Sequence, residues 1–253
     1  MSGFLIKIII SILVIYLAVG LLIFIKQRDL IYFPVASIKH NFAEEIFING
    51  DVSINVTVLN KGNKKALIYF GGNAEIVDYS ALEFSTLFTG YTIFLVKYRG
   101  YGSSTGQPEE KGIYSDALII YDNIKSDFIS VSIIGRSLGS GVATFLASKR
   151  KIKKLVLVTP FDSIQNVAQE KFPIYPMSIL LKDKYNSLAR VNSITAETLI
   201  IAAENDHIIG RNHTDRLVTG FPSSQLTFEV IQGKGHNTIS DSKKYYRLLS
   251  DFL

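Results

Sequence analysis

The run from residue 132 to 141, Ser-Ile-Ile-Gly-Arg-Ser-Leu-Gly-Ser-Gly, constrains the fold more than any other stretch of the chain. The β-branched Val131, Ile133 and Ile134 read as a buried strand, and Val142-Ala143-Thr144-Phe145-Leu146-Ala147 reads as a helix. Between them, Gly135-Arg136-Ser137-Leu138-Gly139 fits G-x-S-x-G, a sharp turn that carries one serine. The spacing has a physical cause. A side chain two residues to either side of the serine would collide where strand and helix cross, and glycine removes it. Ser137 is therefore expected in a strained conformation above the sheet edge, with the first N–H groups of the helix aimed at the same place.

The rest of the chain fits that centre. Residues 52–59 alternate with period two, as a half-exposed antiparallel strand should. Residues 66–70, 92–96, 131–134, 155–158 and 199–202 are continuous apolar strands, and 226–231 makes a last one. Helical stretches lie between them at about 76–88, 109–124, 138–148 and 240–252. Buried strands separated by helices predict an α/β fold over residues 30–253, with a mostly parallel sheet covered on both faces. In such sheets ligands bind beyond the carboxyl ends of the strands.

The N-terminus carries a different signal. Residues 8–25 hold no charge and only Ser11, Tyr16 and Gly20 as interruptions. That meets the length of about 18 apolar residues needed to span a bilayer as a helix. Hydrophobic residues are 47% of the chain, and the mean hydropathy of +0.24 agrees with a membrane segment. Residues 1–29 are read as a single transmembrane anchor and its flank. The rival reading is a cleaved signal peptide at Ala18-Val19-Gly20, but the apolar run continues through Leu21-Leu22-Ile23-Phe24-Ile25. Lys7 at one end nearly balances Lys26 and Arg28 at the other, so the positive-inside rule assigns no side of the membrane. A net charge of +5 suits an anionic membrane surface and is too dispersed to argue for nucleic acid. The densest basic stretch, Lys149-Arg150-Lys151-Ile152-Lys153-Lys154, reads as cations complementing a helix C-terminus. The absence of cysteine excludes disulfides, thiolate zinc sites and a cysteine nucleophile.

A serine hydroxyl needs an adjacent base to become a nucleophile. The chain has four histidines. His40 precedes the first strand, and His207 and His213 follow strand 199–202. His236 lies in Gly233-Lys234-Gly235-His236-Asn237, between the last strand and the last helix. Where an elbow of this kind is used, the chain order is serine, acid, histidine, and only His236 leaves room for an acid before it. Ala203-Glu204-Asn205-Asp206-His207-Ile208-Ile209 offers two carboxylates. Asp206 is favoured because it stands just before a short apolar return; Glu204 and Asp162 are the alternatives. A helix cap for Asp206 and a turn for Asp162 are the structural readings. An oxyanion needs two N–H donors. Leu138 is expected to supply one, and Gly71-Gly72-Asn73-Ala74 the other, from Asn73. The loop Tyr98-Arg99-Gly100-Tyr101-Gly102-Ser103-Ser104-Thr105-Gly106 is expected to pack beneath the elbow and shape the pocket floor, or to be a structural turn. It matches neither phosphate-binding glycine pattern.

With these pieces placed, the chain resembles the α/β-hydrolase superfamily. Within it, the chain is similar to the branch with one N-terminal membrane helix, which includes lysophospholipase-like members and relatives of protein depalmitoylases. The resemblance rests on Leu30-Ile31-Tyr32-Phe33-Pro34, Gly72-Asn73-Ala74, Tyr98-Arg99-Gly100-Tyr101-Gly102, Gly135-Arg136-Ser137-Leu138-Gly139, Asn205-Asp206 and Gly235-His236-Asn237, in family order. It implies a catalytic triad of Ser137, Asp206 and His236. The chain departs from the family at Gly71, where a histidine is frequent, and at Ala202-Ala203, where His-Gly is typical. Residues 161–189, with Phe172-Pro173-Ile174-Tyr175-Pro176-Met177, read either as an irregular apolar cap suited to an acyl chain or as a helix with a buried face. The expectation is a serine hydrolase of esters or thioesters of lipid or acylated substrates, needing no metal or organic cofactor. A peptidase of the same fold and a non-catalytic scaffold are the alternatives. The sequence assigns no oligomeric state.

Overall fold

A strand that is apolar at every residue has to be covered on both faces, and this chain covers each one by alternating strands with helices. The computed structural model describes residues 2–253. Eight strands form one sheet: β1 (Ala43–Asn49), β2 (Val52–Leu59), β3 (Lys65–Phe70), β4 (Tyr91–Val96), β5 (Ser130–Arg136), β6 (Lys154–Val158), β7 (Glu197–Ala203) and β8 (Leu226–Ile231). Their spatial order is β1-β2-β4-β3-β5-β6-β7-β8. β2 runs antiparallel to β1 and β4, and the remaining pairs are parallel. The helices are α1 (Ser2–Ile31), α2 (Ala81–Leu87), α3 (Glu110–Ile124), α4 (Leu138–Lys149), α5 (Ile164–Lys171), α6 (Met177–Leu180), α7 (Arg211–Gly220) and α8 (Lys243–Phe252). This is the α/β-hydrolase arrangement the sequence predicts.

Two apolar layers sandwich the sheet. Ile113 and Ile120 of α3, Val142 and Leu146 of α4 and Leu217 of α7 pack on one face against Ile68, Ile133 and Leu155. Phe84 of α2 and Tyr245 and Leu249 of α8 pack on the other against Leu67, Ile134 and Val156. β5 lies at the centre, between β3 and β6, so its carboxyl end meets neighbouring loops from both sides.

Four local expectations change. β2 is antiparallel as read, but it is buried nearly throughout rather than half exposed. Asn55 and Thr57 face an internal ionic cluster instead of water: Thr57 donates to Asp78 (2.5 Å), and Asn55 meets Glu44 (3.0 Å) and Lys97 (3.1 Å). β1, unread in the sequence, pairs with β2 along its whole length. Residues 161–189 are irregular only in part; they hold α5 and the single turn of α6, joined by loops. α1 continues to Ile31, past the boundary placed at residue 29. Over 29 residues, Gly3–Ile31, its mean hydropathy reaches 3.2 in the most apolar window, long and apolar enough to cross a membrane.

Candidate active site

Ser137 joins β5 to α4 at φ 50° and ψ −117°, a region that side chains other than glycine rarely adopt. The turn is held from two sides: the Ser137 N–H donates to the Val158 carbonyl (2.9 Å) and the Gly139 N–H to that of Gly71 (3.1 Å). The flanking glycines have no substitute. A Cβ at Gly139 would lie 2.0 Å from the Phe70 carbonyl oxygen, and one at Gly135 would lie 2.4 Å from that of Gly139.

Three side chains distant in sequence meet here. His236 Nε2 lies 2.8 Å from Ser137 Oγ, and His236 Nδ1 lies 2.7 Å from Asp206 Oδ2. The second Asp206 oxygen accepts the N–H groups of Ile208 (3.0 Å) and Ile209 (2.8 Å). Ser137 and His236 are 9% and 7% exposed, so their contact is shielded from bulk water while still bordered by cavities. A carboxylate only accepts, so it fixes the proton on Nδ1 and leaves Nε2 free to accept from the serine hydroxyl. Such an arrangement can take up the hydroxyl proton as the oxygen attacks a carbonyl carbon.

The other candidates lie elsewhere. Glu204 accepts the Gly233 N–H (2.7 Å) and ties the two loops together. Asp162 is fully buried beside His213 (2.8 Å), Arg216 (2.6 Å) and Asn166 (2.7 Å). Burial pushes the Asp162 carboxyl up, but hydrogen bonds from His213, Asn166, Arg216 and the Ser163 N–H outweigh it and hold the group down to about 2. His40 sits against Glu44 and Asp78, and His207 is exposed. Among the described residues, no cluster of three or more His, Asp or Glu side chains is placed to hold a metal ion.

Leu138 and Asn73 both line the cavity that Ser137 lines. The Leu138 N–H is the first of α4, where no carbonyl lies one turn back to accept it. The Gly72 carbonyl accepts from the Glu75 N–H (3.3 Å), so the Asn73 N–H of the same trans peptide points the opposite way. The Asn73 carbonyl is held by the Phe33 N–H (3.1 Å) and the Tyr101 hydroxyl (2.8 Å), and the Tyr98 hydroxyl donates to the Gly71 carbonyl (2.8 Å). Tyr98 and Tyr101 thus brace the Gly71–Asn73 loop from behind instead of forming the floor of the pocket.

Sequence reasoning missed Glu75. Its carboxylate accepts the Gly72 N–H (2.8 Å) and the Tyr69 hydroxyl (2.5 Å), and lies 3.5 Å from Arg136. Burial, reinforced by the Glu75 charge, pushes the Tyr69 hydroxyl far above its ordinary range and keeps it a donor. The available signal was a lone acid at the end of a glycine-rich loop. Two cavities meet at Ser137. One, of about 200 Å³, is walled by Phe161, Val167, Met177 and Leu181, and by Ile23, Leu30 and Ile31 of α1. The other, of about 370 Å³, is bordered by Glu75, Arg136, His236 and Asn237. The contribution of α1 to the first was also missed.

No family model matches the chain. An uncharacterized protein of Mycobacterium tuberculosis is 31% identical over 238 residues, covering 87% of this chain and 84% of that protein. An uncharacterized membrane protein of Saccharomyces cerevisiae is 29% identical over 208 residues, 78% of this chain and 73% of that one. The lysophosphatidylserine lipase ABHD12 of Danio rerio is 30% identical over 216 residues, 72% of this chain and 54% of that one. Among solved structures, an esterase of Pyrococcus furiosus superposes with a TM-score of 0.70 at 17% identity, covering 88% of this chain and 97% of the esterase, a likeness of fold.

Proposed function

The chain belongs to the α/β-hydrolase superfamily, and from that premise we propose that it is a membrane-anchored serine hydrolase cleaving a carboxylic ester or thioester of a lipid or acylated substrate. The observation that carries the reading is the 2.8 Å contact of His236 Nε2 with Ser137 Oγ at the end of an apolar cavity. Ser137 Oγ bonds to the substrate carbonyl carbon while its proton passes to His236 Nε2. Asp206 holds the imidazole and stabilises its charged form. The N–H groups of Leu138 and Asn73 receive the developing oxyanion. The carbon–oxygen or carbon–sulfur bond to the leaving group breaks, and His236 returns the proton to that group. Water, deprotonated by His236, then releases the acid from Ser137.

The apolar cavity suits an acyl chain, and the relative named as a lysophosphatidylserine lipase favours a lipid substrate. In this reading α1 anchors the protein, in keeping with the yeast relative named a membrane protein. Residues 30–253 form the hydrolase domain, and residues 161–189 cap the site. Labelling with a fluorophosphonate tests the proposal. The wild type should label, and folded Ser137→Ala and His236→Ala should not. A folded wild type that does not label removes the enzyme reading. With saturated esters of rising chain length, kcat/KM should climb by up to about 0.8 kcal/mol per added methylene until the cavity is filled.

A further inference from the structure

Building on the anchor reading above, we infer that residues 172–181 lie in the lipid leaflet beside α1, and that the acyl cavity opens sideways into that leaflet between them. The first observation is where the segment touches the helix. The Tyr16 and Tyr175 rings stack with centroids 4.7 Å apart and planes 9° apart. The Tyr16 hydroxyl donates to the Ile174 carbonyl (2.9 Å), and the Tyr175 hydroxyl to that of Tyr16 (3.2 Å). Tyr16 stands in the middle of the uncharged run, nine residues before Ile25, which is about 14 Å along a helix axis. A bilayer that takes α1 to the end of that run also takes whatever is stacked on Tyr16.

The second observation is the order of contacts. Polar fastenings sit at the end of the run: Gln27 donates to the Leu180 carbonyl (3.1 Å) and accepts the Lys182 N–H (2.5 Å), and Arg28 pairs with Asp183 (3.1 Å) and Glu109 (2.7 Å). From Lys182 back to Ile174 the segment climbs along α1, away from those fastenings. Over that climb it carries no charge: Phe172-Pro173-Ile174-Tyr175-Pro176-Met177-Ser178-Ile179-Leu180-Leu181. Ile174 and Ile179 are 69% and 78% exposed, beside an equally bare apolar helix. Lys171 and Lys182 bracket the stretch, and the Lys182 ammonium lies 4.3 Å from the centre of the Phe24 ring. Lysines at such a boundary keep their heads at the headgroup level while their stems lie on apolar surface.

The third observation is the cavity. Ile23, Gln27 and Leu30 of α1 form one side, and Phe172, Met177 and Leu181 the other. The anchor is therefore also a wall of the site. A chain drawn straight from the leaflet avoids exposing its methylenes to water on the way.

The chain contains no tryptophan, so single tryptophans report depth without background. Full-length Leu17→Trp (on α1), Ile179→Trp (on the segment) and Ile129→Trp (before β5, at the opposite end of the strands, 74% exposed) are placed in phosphatidylcholine vesicles with and without brominated acyl chains. Emission should be lost to bromine at Leu17→Trp and Ile179→Trp and kept at Ile129→Trp. Ile174→Trp serves as a second segment probe if Ile179→Trp does not fold. Quenching at Leu17→Trp without quenching on the segment overturns the inference and spares the anchor. Quenching at neither overturns both. For sideways entry, a long-chain monoacyl ester is offered in the enzyme's own vesicles or in separate ones. Hydrolysis at least about tenfold faster in the shared vesicles is expected, and equal rates overturn it. Absence of hydrolysis in both would fault the hydrolase proposal, while the bromine experiment still decides where the segment lies.

Discussion

Two aspartate–histidine pairs stand at the same edge of the sheet, one strand apart, and only one of them meets a hydroxyl. Asp206 follows β7 and holds His236 at 2.7 Å; Asp162 follows β6 and holds His213 at 2.8 Å. The near nitrogens are alike, and the far ones differ. His236 Nε2 faces Ser137, on a strained turn between two cavities, whereas His213 Nε2 faces the Glu170 carboxylate at 3.0 Å. Asp162 is also held by Arg216, Asn166 and the Ser163 N–H, so the second pair has every polar atom engaged and fastens α5 and α7 to the end of β6. An acid–imidazole pair takes its chemistry from what its outer nitrogen touches.

The widest break in the comparison is at the serine. Ser137→Ala should lower kcat for an ester by about 10⁴-fold or more with Tm retained, because the hydroxyl oxygen is the atom that bonds to the acyl carbon in the proposed transfer. His213→Ala should do the reverse. Its kcat per folded molecule should stay within a few-fold of wild type while Tm falls. Comparable losses of kcat in the two variants would mean the pairs are not functionally distinct. The next break exchanges the acids. Asp206→Asn should cost about 10³- to 10⁴-fold in kcat by admitting the wrong imidazole tautomer. Asp162→Asn removes one partner of a buried ionic group, which costs about 3–5 kcal/mol. In a domain of this size that is a drop in Tm of about 10 °C. Calorimetry beside steady-state kinetics on the same preparations separates the two outcomes.

The same contrast governs what could be read in the sequence. Ser137, His236 and Asp206 each carry a local sign: two glycines at fixed offsets, a glycine-rich loop after the last strand, an acid before a short apolar return. β3, β4, β6 and β7 were legible because burial on both faces keeps their runs almost continuously apolar. β1 was not, because Ala-Glu-Glu-Ile-Phe-Ile-Asn is an edge strand whose order comes from pairing with β2. α7 was missed for a related reason. His213 and Arg216 look like parts of a solvated loop until Asp162, far back in the chain, supplies their partner. The wall that α1 gives the cavity is fastened by Gln27 meeting Leu180 and Lys182, more than 150 residues away, contacts that no periodicity encodes. Local constraint is legible; constraint supplied by a distant partner is not.

The finest test of the comparison is acid titration of the second pair. The Asp162 carboxyl is lowered from 3.8 to about 2 by its donors. A depressed carboxyl stabilises the fold fully above its unfolded pKa and ceases to do so as pH falls through the folded one. The shift corresponds to about 2 kcal/mol, present at neutral pH and about half gone near pH 3. The gap between the urea midpoints of wild type and Asp162→Asn should therefore narrow, converging in part, as pH falls from about 4 toward the acid limit. The Glu170 side of the pair is open to solvent and should not set this window, so Glu170→Gln should leave the convergence in place. A gap that stays fixed down to pH 3 would mean that the charge on Asp162 is not what joins α5 and α7 to the sheet. The contrast with Asp206 would then rest on shape alone.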